Sequence, residues 1–128
     1  MAKTPPESLD LLTPVDHVVL AFADEGTLRE AVAALAGAGF PSDKVHEYTA
    51  AEMSSAIAAE LEGAGALASL GQDVNLAKFR RKLADEGHGW LVVHAPSKEE
   101  TAQVGEVARR LGARMAQKHN RFMIEELV

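Results

Sequence analysis

The segment Gly89-Trp90-Leu91-Val92-Val93-His94-Ala95-Pro96 restricts the possible folds more than any other part of the chain. From Trp90 to Val93 every residue is apolar, with no polar residue at alternate positions. Such a strand needs apolar cover on both faces, so it belongs inside a sheet rather than at its margin. Ser97 follows at once, and Glu100 stands three residues on, the spacing of a capping box that opens a helix. A second unit of this kind lies upstream. Val18-Val19-Leu20-Ala21-Phe22 is also continuously apolar, and Thr27 with Glu30 predicts the cap of the helix behind it.

Both units close in the same way. In the first, Leu28, Ala31, Val32 and Leu35 line one helix face, and Gly37 and Gly39 stop the helix. Pro41 and Asp43 then form a turn into a strand over 44–48, whose mixed polarity suits an edge. In the second, Val104, Val107, Ala108 and Leu111 form the stripe and Gly112 ends it. The closing strand is expected over 121–125, again an edge. Residues 50–88 read as a helical insertion between the halves. Thr49 and Glu52 cap its first helix, which turns Met53 and Ile57 inward. Its second helix, over about 75–86, is expected to bury Leu76, Phe79 and Leu83 and to leave Lys78, Arg80, Arg81 and Lys82 mostly outward. Gly63 to Gly71 is glycine-rich but apolar. It lacks the Gly-Lys-Ser/Thr of a phosphate loop and follows a helix, so a tight interhelical corner is the reading.

The doubled strand–helix–strand unit predicts an α+β fold: a ferredoxin-like split β-α-β sandwich with a four-stranded sheet, a two-helix insertion between strands 2 and 3, and the two apolar strands central and antiparallel. A small doubly wound α/β sheet is the alternative, since it too would bury both strands. In the preferred fold one sheet face is covered by the crossover helices. The other needs a lid, from the inserted helices or from a second subunit. Residues 1–14, with Pro5, Pro6 and Pro14, read as an N-terminal arm, and 15–128 as a single domain.

Composition excludes several function classes. The chain has no cysteine, which removes disulfides, thiolate metal sites and cysteine nucleophiles and suits a reducing cytoplasm. A net charge of −6 speaks against nucleic acid as the main partner. No apolar run approaches the ~20 residues of a membrane helix, and the N-terminus lacks the apolar core of a signal peptide. No cofactor motif is present. The serines lack a nucleophile-elbow context, and adjacent carboxylates such as Glu125 and Glu126 point to opposite strand faces, so no catalytic constellation emerges.

Two sets of residues remain as candidates. Arg109, Arg110, Arg114, Lys118 and Arg121 gather basic charge around the last helix and strand, where a small anionic ligand or an acidic partner would find it. A charge run is more often a solvated face. His17, His46 and His94 lie at strand ends that an antiparallel pairing brings together, and imidazole suits zinc, copper or nickel. No His-x-x-x-His pair fixes two ligands locally, so strand-end histidines without a metal are the simpler expectation.

The run Val18 to Phe22, the helix end Ala33-Ala34-Leu35-Ala36-Gly37-Ala38-Gly39-Phe40, and Asp43-Lys44-Val45 resemble bacterial heat-induced or general stress protein domains. The tail Arg121-Phe122-Met123-Ile124-Glu125-Glu126-Leu127 is similar to the end of such domains. The resemblance implies a small cytoplasmic protein of ill-defined role and supplies no active-site residues. The expected function is that of a non-enzymatic accessory or stress-associated protein, a homodimer acting through protein contacts. The alternative is a module sensing a small molecule or metal.

Overall fold

The computed structural model describes residues 14–64, 72–121 and 123–128. Most of the expected arm, and the corner from Gly65 to Gly71, lie outside the described residues. In chain order the elements are β1 (His17–Phe22), α1 (Glu25–Gly37), a 3-10 turn (Ser42–Lys44), β2 (Val45–Tyr48) and α2 (Ala50–Ala64). There follow α3 (Gln72–Asp85), β3 (Gly89–His94), α4 (Lys98–Arg110), β4 (Met115–His119) and β5 (Ile124–Glu126). Among the described residues the fold is α+β, with one five-stranded sheet in the order β2-β3-β1-β4-β5.

Every strand pairing is antiparallel, which overturns the doubly wound alternative, whose sheet would be parallel. β1 lies against β3 from His17 opposite His94 to Phe22 opposite Gly89. The two continuously apolar strands are thus interior neighbours, as their lack of alternation requires. Because side chains alternate across a strand, the register sorts the sheet into two faces. On one, Val18, Leu20, Phe22, Leu91 and Val93 pack with Leu28, Ala31 and Leu35 of α1 and Val104, Val107 and Ala108 of α4. On the other, Val19, Ala21, Trp90 and Val92 pack with Met53 and Ile57 of α2 and with Leu83 and Ala84 of α3. The inserted helices therefore cover the second face, and that cover requires no second subunit.

Three expectations need correction. The sheet has five strands rather than four, and the strand beside β1 is β4, not residues 121–125. Arg121 sits in the connection after β4, and the edge is β5. All five residues of β4 are buried, although Gln117, Lys118 and His119 are polar. They are tolerated because each finds an internal partner, as buried polar groups must. Second, the cap of α1 is Asp24. Its Oδ1 accepts from the Thr27 backbone N–H at 2.8 Å and from the Thr27 hydroxyl at 2.9 Å, so the helix begins ahead of Thr27. The reciprocal pairs Thr49/Glu52 and Ser97/Glu100 do form.

The third correction concerns α3. Phe79 is 44% exposed, whereas Arg80 is completely buried. The buried stripe runs through Ala77, Arg80, Leu83 and Ala84, a helical spacing that admits Arg80 and turns Phe79 out. The guanidinium reaches the sheet. Arg80 Nη2 lies 3.1 Å from Gln117 Oε1 and 2.6 Å from His119 Nε2.

Two glycines serve close packing or a turn. Gly112 has φ 71°, the left-handed conformation that turns the end of α4 into β4. A Cβ on Gly89 would stand 2.6 Å from Leu28 Cδ1, so the start of β3 passes α1 only because no side chain is there.

Candidate ligand cleft

A cleft of about 650 Å³ lies between α4 and the β4–β5 pair. Its helix wall is the face carrying Lys98, Thr101, Ala102, Gly105 and Arg109, positions separated by whole turns. Its strand wall carries Lys118, Asn120, Met123, Glu125 and Leu127. Lys118 and Glu125 are cross-strand partners, so their side chains share the α4 side of the sheet.

Lys118 is the unusual member. It is only 3% exposed, and its Nζ donates to Thr101 Oγ1 at 2.7 Å. Thr101 in turn donates to the Ser97 carbonyl oxygen at 2.8 Å. An ammonium carries three N–H donors, and this arrangement uses one of them, on a neutral acceptor. Glu125 is exposed, and no carboxylate among the described residues reaches Lys118 Nζ. A buried cation without an opposite charge is costly, so the site holds an electrostatic demand for an anion.

The remaining walls are held by backbone contacts. Leu127 N donates to Ala116 O at 2.8 Å, and Arg109 Nη1 donates to Leu127 O at 3.0 Å, which pins the C-terminal segment against α4. Leu127 lies over Gly105, where an added Cβ would meet it at 3.6 Å. At the mouth of α4, Ser97 Oγ accepts from Glu100 N–H and Glu100 Oε1 accepts from Ser97 N–H, both at 3.1 Å. These bonds hold the Glu100 carboxyl below the usual carboxylate range, with Lys44 and His94 adding to the effect.

Of the five basic candidates, the fold brings Arg109 and Lys118 into this cleft. Arg110, Arg114 and Arg121 are exposed and do not line it. Sequence reasoning missed Thr101, Lys98 and Met123. The signal for Thr101 was its place on the inner face of α4, but a hydroxyl there reads as core filler until β4 is located. The other basic run, Lys78, Arg81 and Lys82, borders a surface depression together with Asp85 and Glu86, a face of mixed sign.

The three histidine candidates occupy the opposite sheet face, toward α2 and α3, at the same sheet end. The rings of His17 and His94 are tilted against each other with centroids 4.9 Å apart. His46 lies opposite Val92, two residues before His94 and on the same face. His17 Nδ1 is 2.9 Å from the Val15 carbonyl oxygen, so that nitrogen carries the proton. Desolvation, together with repulsion from His94 and His46, lowers the His17 pKa, against the opposing bond to Val15. Desolvation, with repulsion from His94, likewise lowers that of His46. Among the described residues no group of three or more His, Cys, Asp or Glu side chains is arranged to hold a metal ion.

A smaller cavity of about 230 Å³ at the other sheet end is lined by Glu25, Glu47, Tyr48 and Gly89, among others. The Tyr48 hydroxyl is buried without a hydrogen-bond partner, and burial pushes its pKa up to about 12. Glu47 is paired with Arg29, which neutralises that wall in part.

No protein-family model matches the chain, and neither a curated protein nor a solved structure matches it.

Proposed function

We propose that this chain is a non-catalytic binding module that takes a small anion in the cleft between α4 and β5. The observation that carries this reading is Lys118: a buried ammonium facing a cavity, with only a neutral hydroxyl as partner. Arg109 and Lys98 on the rim are solvated, so they steer an anion inward rather than hold it. The volume falls within the ~300–1,000 Å³ usual for small-molecule sites.

The chemistry of the cleft supports binding rather than reaction. Thr101 is its one hydroxyl beside a cation, and that oxygen accepts from Lys118 while donating to a backbone carbonyl. A hydroxyl whose lone pair faces an ammonium, with no base beside it, is a poor nucleophile.

The module reads as a ferredoxin-like sandwich enlarged by β5 and by the α2–α3 cover. The antiparallel order β2-β3-β1-β4 and the two crossover helices on one face support that assignment. An accessory role in the bacterial cytoplasm, in the manner of stress-protein domains, agrees with a cysteine-free chain. Action through protein contacts is the second reading, favoured by Met123, 62% exposed beside the cleft. Homodimerisation would use such a surface or a sheet edge, since helices cover both sheet faces.

Calorimetric titration with acetate, sulfate and inorganic phosphate, on the wild type and Lys118→Met, tests the binding reading. Saturable binding of at least one anion, lost in the variant, is expected. Absence of any anion binding would overturn it.

A further inference from the structure

We infer that the preferred ligand of this cleft is a monocarboxylate with a hydrocarbon tail, rather than a phosphate or a compact dianion. The inference rests on the binding reading above and deepens it by naming the ligand class.

Three observations separate these ligands. The first is charge. One desolvated cation, Lys118, faces a cleft whose strand wall also carries the Glu125 carboxylate. A single negative charge answers the buried ammonium, while a second would sit close to Glu125 without a desolvated partner of its own.

The second is the end of α4. Phosphates commonly use the free N–H groups of a helix N-terminus together with its dipole. Here Ser97 Oγ already occupies the Glu100 N–H, and the Glu100 carboxylate occupies the Ser97 N–H and the positive end of the dipole. The N-terminus beside Lys98 therefore already holds the chain's own anion.

The third is the apolar part of the lining. Pro96, Ala102, Met123 and Leu127 supply apolar lining, with Met123 and Leu127 two residues to either side of Glu125, the cross-strand partner of Lys118. Met123 is 62% exposed, an unbranched and adaptable side chain with little of its surface used by the fold. Leu127 is tied in place over Gly105. An alkyl tail would cover Met123 while its carboxylate reaches Lys118, whereas inorganic phosphate would leave that side chain wet.

The test is calorimetric titration with butyrate, hexanoate and octanoate, kept below their aggregation concentrations, beside octylammonium and inorganic phosphate. Affinity is expected to tighten about fourfold for each buried methylene along the carboxylate series. Octylammonium is expected not to bind. Lys118→Met should abolish carboxylate binding. Met123→Asp, at an exposed position that leaves the core intact, should flatten the chain-length series and weaken octanoate at least tenfold.

Phosphate binding that depends on Lys118, with a flat carboxylate series, would overturn the ligand class and leave the anion reading standing. Octanoate and octylammonium binding equally, with no effect of Lys118→Met, would overturn both. So would no binding by any of the anions.

Discussion

Arg80 on α3 and His119 at the end of β4 meet under the helical cover, with Arg80 Nη2 at 2.6 Å from His119 Nε2. An arginine N–H can only donate, so His119 accepts through an unprotonated Nε2 and keeps its proton on Nδ1. Gln117 Oε1 takes a second bond from the same nitrogen, and Gln117 Nε2 passes one to Glu126 Oε2 at 2.7 Å. The chain runs from the cover through β4 to the edge strand.

Truncating Arg80 would leave two buried acceptors without this donor and a void beneath α3. Arg80→Ala is expected to destabilise by about 3–5 kcal/mol, by both mechanisms. Arg80→Met, which fills the void, should cost clearly less. Urea denaturation of the three proteins checks the order, and equal losses for Ala and Met would show that packing plays no part.

The histidines on the same sheet face, at the same sheet end, make stability depend on pH. His17 and His46 have folded pKa values below the ordinary ~6.5, chiefly through desolvation. For a depressed histidine the unfolded chain binds protons first, so stability is fully present above ~6.5 and is lost as pH falls through the folded value. The denaturation midpoint is therefore expected to drop between neutral pH and pH 5, and the slope should be shallower in His17→Gln. A midpoint rising on acidification across that range would contradict the assignment.

How much of this was legible in the sequence depends on what signals each residue sends alone. Val18–Phe22 and Trp90–Val93 announced themselves as interior strands because helical layers lie on both sides of them, so neither strand has a polar face to show. Ser97 and Glu100 announced a cap because the motif is local. β4 was hidden, since Gln117, Lys118 and His119 look like surface and are buried only by virtue of Arg80 and Thr101, far away in the chain. Arg80 was hidden for the same reason: its position in the stripe is apolar in pattern, its chemistry is not. The cleft followed β4 out of sight.

The two caps near the start of α1 offer a direct comparison. Asp24→Ala should destabilise by about 1 kcal/mol, because the carboxylate takes the Thr27 N–H. Thr27→Ala should cost less, its hydroxyl being a donor to Asp24 rather than the cap itself. Thermal denaturation of the pair decides, and the reverse order would restore Thr27 as the helix start.

Gly89→Ala places a methyl 2.6 Å from Leu28 Cδ1, in a core position where Leu28 is 4% exposed. Overpacking of this kind costs about 1–3 kcal/mol. Paired with Leu28→Ala, the two losses should not add, because each relieves the other. Additive losses in chemical denaturation would mean that β3 and α1 do not approach as described.

The central claim is that the Lys118 ammonium meets the ligand's negative charge inside the protein. Nitrogen-15 NMR of the lysine side chains during a hexanoate titration tests it most directly. The Lys118 Nζ resonance is expected to move and saturate in step with binding, while those of Lys78 and Lys82 on α3 stay in place. A Lys118 resonance that does not move while hexanoate binds would contradict the account.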